Sequence, residues 1–483
     1  NCGNERPLVK HNIIKRIGDY KMSQILSNKI SVAFSAEGIP TDISGADYSG
    51  ETLGNLTEGE INGVMRLLSD YYNVTAERVN LDSLNATVLK NAYISGTGLL
   101  YTYWNPSINT GLFADEQKSL RIKGDICCEI LGIEDVVFGD PYCDNLQQQP
   151  YIIISSRQNV EDVIREARLF GADLATLTSI YESARDGKIT VLTRFHKEYG
   201  YDGSYKINCV KVVENAFVRR EFCTNLRLYP ISIFRWENKN GCAYGESEIT
   251  YLIPNQIAIN RMITANVWSA MTTGMPIMIV NGDTVNEKIT NDPGQIIKVY
   301  GSNEDVAGAI KYVSPAASIK EFDDCINNLI SNTLTQSGAN EVALGDSKAD
   351  NATALITMRD AALMPLQIVK NRYYSFVEET ARIWADFWIT HYGRRKLKCE
   401  SNGVCRYVMF DADRYRELII SARVDVNKAP VYSDSDRLDT LITLFEKGII
   451  NKRELLKRLP KGIIPDIGEL LAEGNEVSDN DGI

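Results

Sequence analysis

The side chains that could do chemistry in this sequence are scattered along the chain. Its ten cysteines form no CxxC pair, and it has only three histidines. Because zinc sites need cysteine and histidine ligands at short, regular spacing, the sequence predicts no metal centre. The adjacent thiols Cys127 and Cys128, and the nearby pair Cys399 and Cys405, could form disulfides. In a reducing cytoplasm such thiols stay reduced, so the prediction is that they are structural or inert.

Neither paired carboxylates nor signature motifs indicate an enzyme. Asp323 and Asp324 are adjacent within a helical pattern, and adjacent helix positions point in different directions, which favours a solvated face over catalysis. The sequence contains no GxxxxGKS or GxxxxGKT loop for nucleoside triphosphates, no GxSxG nucleophile motif and no HExxH zinc motif. We therefore expect a chain without enzymatic activity and without a cofactor.

The charge balance argues against a general affinity for nucleic acid or anionic membranes. The chain carries 52 lysines and arginines against 63 aspartates and glutamates, a formal net charge of −11. Taken alone, this charge favours an ordinary acidic cytosolic protein. Its 483 residues, 44% of them hydrophobic, suffice for two or three domains with cores of their own. The apolar segment 249–282 contains Pro, Asn and Gln side chains that are costly in hydrocarbon, so no membrane helix is expected.

Three helical patterns dominate the second half of the chain. The first covers about 247–273, and the second begins at Ser318, which can form a capping box with Glu321. The third keeps helical spacing over 352–392 and contains Pro365, which removes a backbone donor and kinks a helix. Narrow stripes of this kind need a neighbour to bury them. The stripe positions on the first two helices are Ile259, Met262, Ile263, Val267, Phe322, Ile326 and Leu329.

Short strand patterns occupy most of the remaining sequence. Residues 121–235 contain several β-branched or aromatic runs with two helices between them, and strand patterns with turns fill the insert 275–314. Strands and a two-helix unit follow residue 393, and the last residues form an acidic, Gly- and Asn-rich tail. The predicted fold class is α+β.

Three stretches of sequence mark the order of these elements. The first is Tyr-Gly-Glu-Ser-Glu-Ile at 244–249, which leads into Asn-Gln-Ile-Ala-Ile-Asn-Arg at 255–261. The second is Asp-Asn-Ala-Thr-Ala at 350–354, which leads to Pro365 and Leu366. The third is Arg-Val-Asp-Val at 423–426, which is followed by 438–444, 448–450 and Leu459-Pro460. In their order, and in no single motif, they resemble the portal proteins of tailed bacteriophages. The resemblance covers most of the chain from about residue 240 onward. The first half matches only loosely, as a wing-like α/β region.

The resemblance implies a division of the chain into modules. In that family a stem helix leads to a clip, a second stem helix returns, a tunnel loop follows, and a kinked helix lines the channel. The implied modules are a wing at 1–245, stem helices at 246–274 and 316–337, a clip at 275–315, a tunnel loop at 338–351, a kinked channel-lining helix at 352–392, a wing return with helical crown at 393–470, and a flexible acidic tail at 471–483.

The resemblance also assigns roles to particular residues. Pro365 would let the two halves of the channel helix move separately, and the stripe residues of the stem would pack between subunits. Asn351 could contact DNA or, as we prefer, cap the long helix. The other tunnel-loop residues facing DNA would be Asn340, Ser347 and Lys348, and those of the clip that dock partners would be Asn286, Glu287, Lys288, Asn303, Glu304 and Asp305. The run Arg394-Arg395-Lys396 could make a wing contact, but a solvated basic face explains it better.

A portal subunit would belong to a ring of about twelve copies at one capsid vertex of the virion, assembled in the host cytoplasm. The ring would conduct double-stranded DNA during packaging and ejection, and its partners would be the terminase large subunit, the head–tail adaptor, the major capsid protein and scaffold. A strongly acidic ring suits DNA that must slide without lasting phosphate contacts. Two alternatives stay open: a cytosolic α/β enzyme with an unrecognised site in residues 100–240, and another virion component.

Overall fold

The computed structural model describes a large part of the chain in two units. The described residues are 8–27, 29–38, 58–113, 121–201, 203–273, 277–281, 283, 285, 298, 302, 308, 310–313, 319–339, 363–401, 404–416, 418–427, 441–445, 447–448 and 455. The first unit consists of residues 1–25 and 32–424, and the second of residues 26–31 and 425–483. Helices and antiparallel strands alternate irregularly, so the α+β class is confirmed.

Two antiparallel sheets form the centre of the first half of the chain. In the smaller sheet the strand order is β3-β2-β9, and in the larger it is β4-β5-β6-β7-β8. The strands are β2 Thr97–Phe113, β3 Arg121–Leu131, β4 Val136–Phe138, β5 Tyr151–Asn159, β6 Lys188–Tyr199, β7 Tyr205–Val213, β8 Ala216–Cys223 and β9 Ile231–Arg235. Buried and exposed residues alternate along β6, because one face of the larger sheet covers the core and the other meets solvent.

Three helices pack on these sheets, and a fourth packs on the first of them. The three are α3 Leu81–Ser95, α4 Val160–Leu169 and α5 Leu174–Glu182, and α2 Glu58–Val79 packs on α3. Val163, Ala167 and Ile180 of α4 and α5 share a core with Val191 and Val218 of the larger sheet. Gly98 is required where α3 crosses β2, because a Cβ atom there would lie 2.3 Å from the carbonyl oxygen of Val88.

The longest described helix runs through the core of the first unit. This helix, α8, spans Leu366–His391, and its buried face carries Phe376, Trp384, Phe387 and Trp388. Trp388 lies edge-on to Tyr71 of α2, with ring centroids 5.3 Å apart, and Trp384 lies 5.1 Å from Tyr72. Such a helix, apolar over most of its circumference, is stable only when it is enclosed by other elements.

The remaining elements are three strand pairs and two helices that pack with α1. Helix α1 spans Ile13–Leu26, α6 spans Ile249–Thr273, and α7 spans Ile319–Gln336. The strand pairs are β10 Ile277–Val280 with β11 Ile310–Val313, β12 Arg394–Ser401 with β13 Val404–Asp411, and β1 Lys29–Gly38 with β14 Ile419–Asn427. Short 3-10 turns occupy Ile133–Asp135, Leu146–Gln148 and Ala412–Tyr415.

The second unit has few described residues. Within it the Ser31 hydroxyl donates a hydrogen bond to the backbone oxygen of Asp425, at 3.2 Å, where strands β1 and β14 pair. Residues 441–445 are helical and lie in the region after residue 393 where a two-helix unit was expected. The predicted tail 471–483 lies outside the described residues.

Pro365 stands immediately before α8. Its backbone angles, φ −61° and ψ −28°, are helical, and a proline at a helix start costs little because that N–H has no intrahelical partner. Residue 363 is helical and residues 364–365 form a turn, so the helical path is interrupted at the proline. Residues 352–362 lie outside the described residues, so the predicted helix of 352–392 is described only from residue 363 onward.

Candidate functional site: the helix pair and its outer face

Helices α6 and α7 form an antiparallel pair. The Asn255 side chain donates to the Thr333 hydroxyl at 3.2 Å, and the Asn266 side chain donates to a carboxylate oxygen of Asp323 at 2.6 Å. As the residue number increases along α6, the number of the contacting residue on α7 decreases, so the two helices run in opposite directions. Asp323 is thus engaged in helix pairing, and Asp324 is exposed, as expected of a solvated face.

The polar residues of α6 hold the start of α1. The Gln256 side-chain oxygen accepts hydrogen bonds from the backbone N–H groups of Ile13, at 2.9 Å, and Ile14, at 3.3 Å. The Asn260 side chain accepts from the N–H of His11 at 2.9 Å. The first N–H groups of a helix lack intrahelical acceptors, so α6 supplies the caps that α1 needs. The sequence predicted no membrane helix here because of side chains such as Gln256 and Asn260. In the structure these two amide side chains form hydrogen bonds with the backbone of the same chain.

The inner stripes of α6 and α7 are buried within the chain. Ile259 is fully buried and shares a core with Leu252, Ile17 and Leu334, against which Ile263 and Leu329 also pack. Ile326 is 6% exposed. The expectation that adjacent subunits bury these stripes is wrong for Ile259, because α1 and α7 already cover it within the chain. Ile326 is also buried without a neighbouring subunit.

Other predicted stem residues are less enclosed. Phe322 on α7 is 43% exposed, and Met262 and Val267 on α6 are half-buried. These three side chains keep apolar surface available for a further partner. Some residues of the predicted stripe are therefore buried inside the chain, and others remain open to solvent.

A second apolar stripe lies on the outer face of α6. Ile253 and Ile257 are 44% and 45% exposed, and Ala265 and half-buried Trp268 continue the same face. Leu8 closes one side of a groove of about 630 Å³ over this stripe. The polar residues that line the groove are Asn260, Arg261, Thr264 and Ser269. An exposed apolar groove with a polar rim is typical of a protein-binding surface.

The strand pair β10–β11 lies between the two helices in chain order. Ile277 is opposite Val313 and Val280 is opposite Ile310, so the two strands are antiparallel, as the two helices are. The described elements therefore follow one another as helix α6, strand β10, strand β11 and helix α7. The predicted clip residues Asn286, Glu287, Lys288, Asn303, Glu304 and Asp305 lie outside the described residues.

The end of α7 and the start of α8 lie close together. Gly338 adopts a left-handed conformation, φ 75°, typical of the residue after a helix. A Cβ atom on this glycine would lie 3.7 Å from the Pro365 ring. The segment between them therefore starts and ends at the base of α8. The predicted tunnel-loop residues Asn340, Ser347, Lys348 and Asn351 belong to it and lie outside the described residues.

The predicted basic run at 394–396 contains one buried arginine. Arg395 is 4% exposed, whereas Arg394 and Lys396 on either side are exposed. The Arg395 guanidinium donates to the backbone oxygens of Tyr392, at 3.0 Å, and Gly124, at 3.3 Å. It also lies 3.8 Å from the Tyr392 ring centroid. The interpretation of the run as a solvated basic face is wrong at Arg395, because alternation along β12 turns this side chain inward.

A buried network next to Arg395 was not predicted from the sequence. The Tyr392 hydroxyl donates to Asp125 at 2.5 Å and lies 3.2 Å from the Tyr71 hydroxyl, and Arg78 forms an ion pair with the same carboxylate. Burial raises the pKa of Tyr392 well above its ordinary value, so this hydroxyl stays protonated and donates. No spacing rule relates these residues, which come together from α2, β3 and the end of α8.

Two carboxylates of α8 lie in buried surroundings without forming a catalytic pair. Burial raises the pKa of Glu379, whose partners are the Gln147 amide and the Ile233 N–H, both at 3.4 Å. Burial also raises the pKa of Asp386 to about 6, although this side chain accepts N–H hydrogen bonds from Arg227 at 2.7 Å and Leu228 at 3.1 Å. Both carboxylates hold the backbone of residues 227–233 against α8, and their role is therefore structural.

The described residues show no group of side chains arranged to hold a metal ion. Cys127, Cys128 and Cys399 are free thiols, and burial raises the pKa of Cys128 to about 11, which makes it a poor nucleophile. Across the part of the chain that is described, no helix combines the length and apolar character needed to span a membrane.

Comparisons with known proteins leave the family open. No protein-family profile matches this chain, and no curated protein matches it. One of the similar solved structures is a chain from the "Neck of empty GTA particle computed with C6 symmetry". It is 9% identical, covers 93% of this chain and 90% of its own length, and superposes with a TM-score of 0.37. A likeness this loose does not establish a shared fold, and it assigns no function to this chain.

Proposed function

We propose that this chain is a portal subunit, a non-enzymatic virion protein that assembles into a ring around a DNA channel. The observation that carries the proposal is an antiparallel strand pair, β10 and β11, placed in chain order between the antiparallel helices α6 and α7. A second stem helix returning from a small β-containing insert is the arrangement that the portal resemblance implies. The segment that begins at Gly338 and ends at Pro365, at the base of α8, fits a tunnel loop in the same order.

Ring assembly is supported by the two faces of α6. The inner face is occupied by α1 and α7, so a neighbouring subunit would pack on the outer stripe around Ile253 and Ile257. The exposed Phe322 of α7 offers apolar surface for the adjacent subunit as well. Two different faces in contact give a heterologous interface, which closes into a ring when the rotation between subunits allows it.

The proposed mechanism is geometric. The ring would sit at one capsid vertex and conduct double-stranded DNA moved by a separate ATPase, while its clip docks the terminase large subunit and later the head–tail adaptor. The net charge of −11 per chain supports a conduit in which DNA does not bind lastingly. The same subunit would meet the major capsid protein and scaffold during assembly.

Native mass spectrometry of the purified chain, with negative-stain images of the same sample, tests the proposal. We expect annular particles of about a dozen copies with a central hole, formed in a concentration-dependent manner. A ring of a different copy number would still support ring assembly. A stable dimer at every concentration, with no annular particles, would reject the proposal and favour a cytosolic enzyme.

A further inference from the structure

A small basic pocket lies at the turn between α5 and β6, in a lobe that the ring proposal does not use. Its volume is about 430 Å³, within the size range of small-molecule sites. Three cations, two hydroxyl groups and one carboxylate line it: Arg157, Arg185, Lys188, Ser183, Thr190 and Glu214. Such a concentration of positive charge is unexpected in a chain whose net charge is −11.

A tight hairpin sets Arg185 and Lys188 side by side. The two residues between them, Asp186 and Gly187, have φ values of 55° and 70°, as in a two-residue type I′ turn. The N–H of Arg185 donates to the oxygen of Lys188 at 2.8 Å, and the N–H of Lys188 donates back at 3.0 Å. In such a hydrogen-bonded pair the residues are directly opposite, and their side chains project from the same face.

The strand register adds Arg157 to the same face. Lys188 is opposite Asn159, and Thr190 is opposite Arg157, in the antiparallel pair β5–β6. Because side chains alternate with a period of two, Lys188 and Thr190 point the same way, and so do the residues opposite them. The three cations therefore converge because of backbone geometry that is fixed by ladder hydrogen bonds.

The positive charge of the pocket is only partly neutralised within the protein. Across the described residues, Arg157, Arg185 and Lys188 form none of the observed ion pairs. Like charges directly opposite each other on paired strands are destabilising. Glu214 offsets one of the three charges, which leaves an excess of two. The pocket therefore favours an anion, and a doubly charged one most.

We propose that this pocket binds the phosphate group of a small molecule. A phosphate monoester carries a charge between about −1.5 and −2 at neutral pH, which matches the excess, whereas a single carboxylate does not. The planar guanidinium groups of Arg157 and Arg185 can each donate two parallel hydrogen bonds to phosphate oxygens, and the Thr190 hydroxyl adds a donor. Three cations gathered around one small pocket suit a terminal phosphate better than the linear charge of a DNA backbone, which needs an extended basic stripe.

Isothermal titration calorimetry of the full chain tests the proposal with two probes, inorganic phosphate and adenosine monophosphate, at constant ionic strength set with chloride. We expect saturable binding of one ligand per chain. Tighter binding of the nucleotide would show that the organic part contributes, and equal binding would assign the site to phosphate alone. A saturable signal for a DNA duplex, with none for either small probe, would overturn the proposal.

The variants Arg157→Gln and Arg185→Gln should each weaken phosphate binding roughly tenfold, because each removes a charged hydrogen-bond donor. Lys206→Gln, which removes one exposed positive charge from β7 outside the pocket, is the matched control and should bind as the wild type does. The unfolding midpoints of all three variants should stay close to that of the wild type, since the side chains are exposed. An equal loss of binding in Arg157→Gln and Lys206→Gln would mean unspecific charge attraction and would reject the site.

Discussion

At the scale of single residues, burial decides the role of a charge more than its type does. Arg394 and Arg395 are neighbours, yet one is exposed and the other is enclosed between Tyr392, Trp104 and the backbone of Gly124. A buried guanidinium needs acceptors for its donors, and Arg395 has carbonyl oxygens of two different elements. Removing it would leave those oxygens and the adjacent Tyr392–Asp125 pair in an incomplete network.

Arg395→Ala should therefore destabilise the protein far more than Arg394→Ala. We expect a loss of roughly 2–4 kcal/mol for Arg395→Ala, because it opens a cavity and leaves buried acceptors unpaired. The matched variant Arg394→Ala alters an exposed side chain of the same type and should change the stability by less than about 0.5 kcal/mol. Urea unfolding followed by circular dichroism measures both. Equal midpoints for the two variants would contradict the proposed network.

At the scale of elements, α8 is held in place by carboxylates that accept backbone hydrogen bonds. Asp386 accepts from Arg227 and Leu228, and Glu379 accepts from Ile233. Both fix the chain around β9 to one side of the helix. Most other buried side chains of the helix are apolar or aromatic, so polar contacts of this kind help to determine how it is oriented against the sheet.

Replacing Asp386 with Asn should reduce the pH dependence of stability. The pKa of this carboxyl rises from 3.8 to about 6 on folding. Its contribution therefore favours the folded state fully below the unfolded pKa and is lost as the pH rises through the folded pKa. Relative to wild type, Asp386→Asn should gain stability between about pH 4 and pH 7, by on the order of 2 kcal/mol, since the amide oxygen can still accept both hydrogen bonds.

Urea unfolding at several pH values provides the measurement for Asp386→Asn. Asp413→Asn is the matched control because Asp413 is exposed, and its difference from wild type should stay small. A constant difference between Asp386→Asn and wild type across this pH range would show that the carboxyl does not titrate as described.

At the scale of the whole molecule, the apolar surface left on the helix pair is the feature that calls for a partner. One chain buries the inner stripes of α6 and α7, but Ile253, Ile257 and Phe322 stay more than a third exposed. In a ring, each copy would cover this surface with its neighbour. Assembly would then depend on a few side chains that contribute little to the stability of an isolated subunit.

Ile257→Asp should prevent ring assembly and leave the subunit folded. A carboxylate at the centre of an apolar interface loses its hydration, and pairing with Arg261 one turn along the helix offsets only part of that loss, which leaves a cost of roughly 3 kcal/mol per interface. Leu174→Asp is the control: Leu174 is 80% exposed at the first position of α5, where an acidic side chain is favourable. Native mass spectrometry should find monomers for the first variant and rings for the second. Intact rings of Ile257→Asp would show that the interface lies elsewhere.

Much of the fold could be predicted because local patterns carry it. Helical spacing places the first stem helix at about 247–273, and the structure has α6 at Ile249–Thr273. Strands were expected in the insert 275–314 and after residue 393, where the structure has β10 and β13. Periodicity shows which face of an element is apolar, but it does not show which neighbour covers that face. For this reason the sequence did not distinguish packing of Ile259 inside the chain from packing between subunits.

The basic pocket could not be predicted for a related reason. Arg157 is far from Arg185 and Lys188 in sequence, and only the register of β5 against β6 brings them to one face. The Asp-Gly turn at 186–187 is a local signal of a hairpin, but it gives no information about Arg157, the cation on the neighbouring strand β5. The network of Arg78, Asp125 and Tyr392 depends on tertiary contacts in the same way.

The sequence by itself determined the α+β class, the positions of the main helices and the acidic character of the chain, because these follow from spacing and composition within short windows. Tertiary structure decided which stripes are covered within the chain, which arginine of the basic run is buried and which cations converge in a pocket. The physical reason is that burial and charge pairing depend on side chains far apart in sequence, whose distances are set only when helices and sheets pack together.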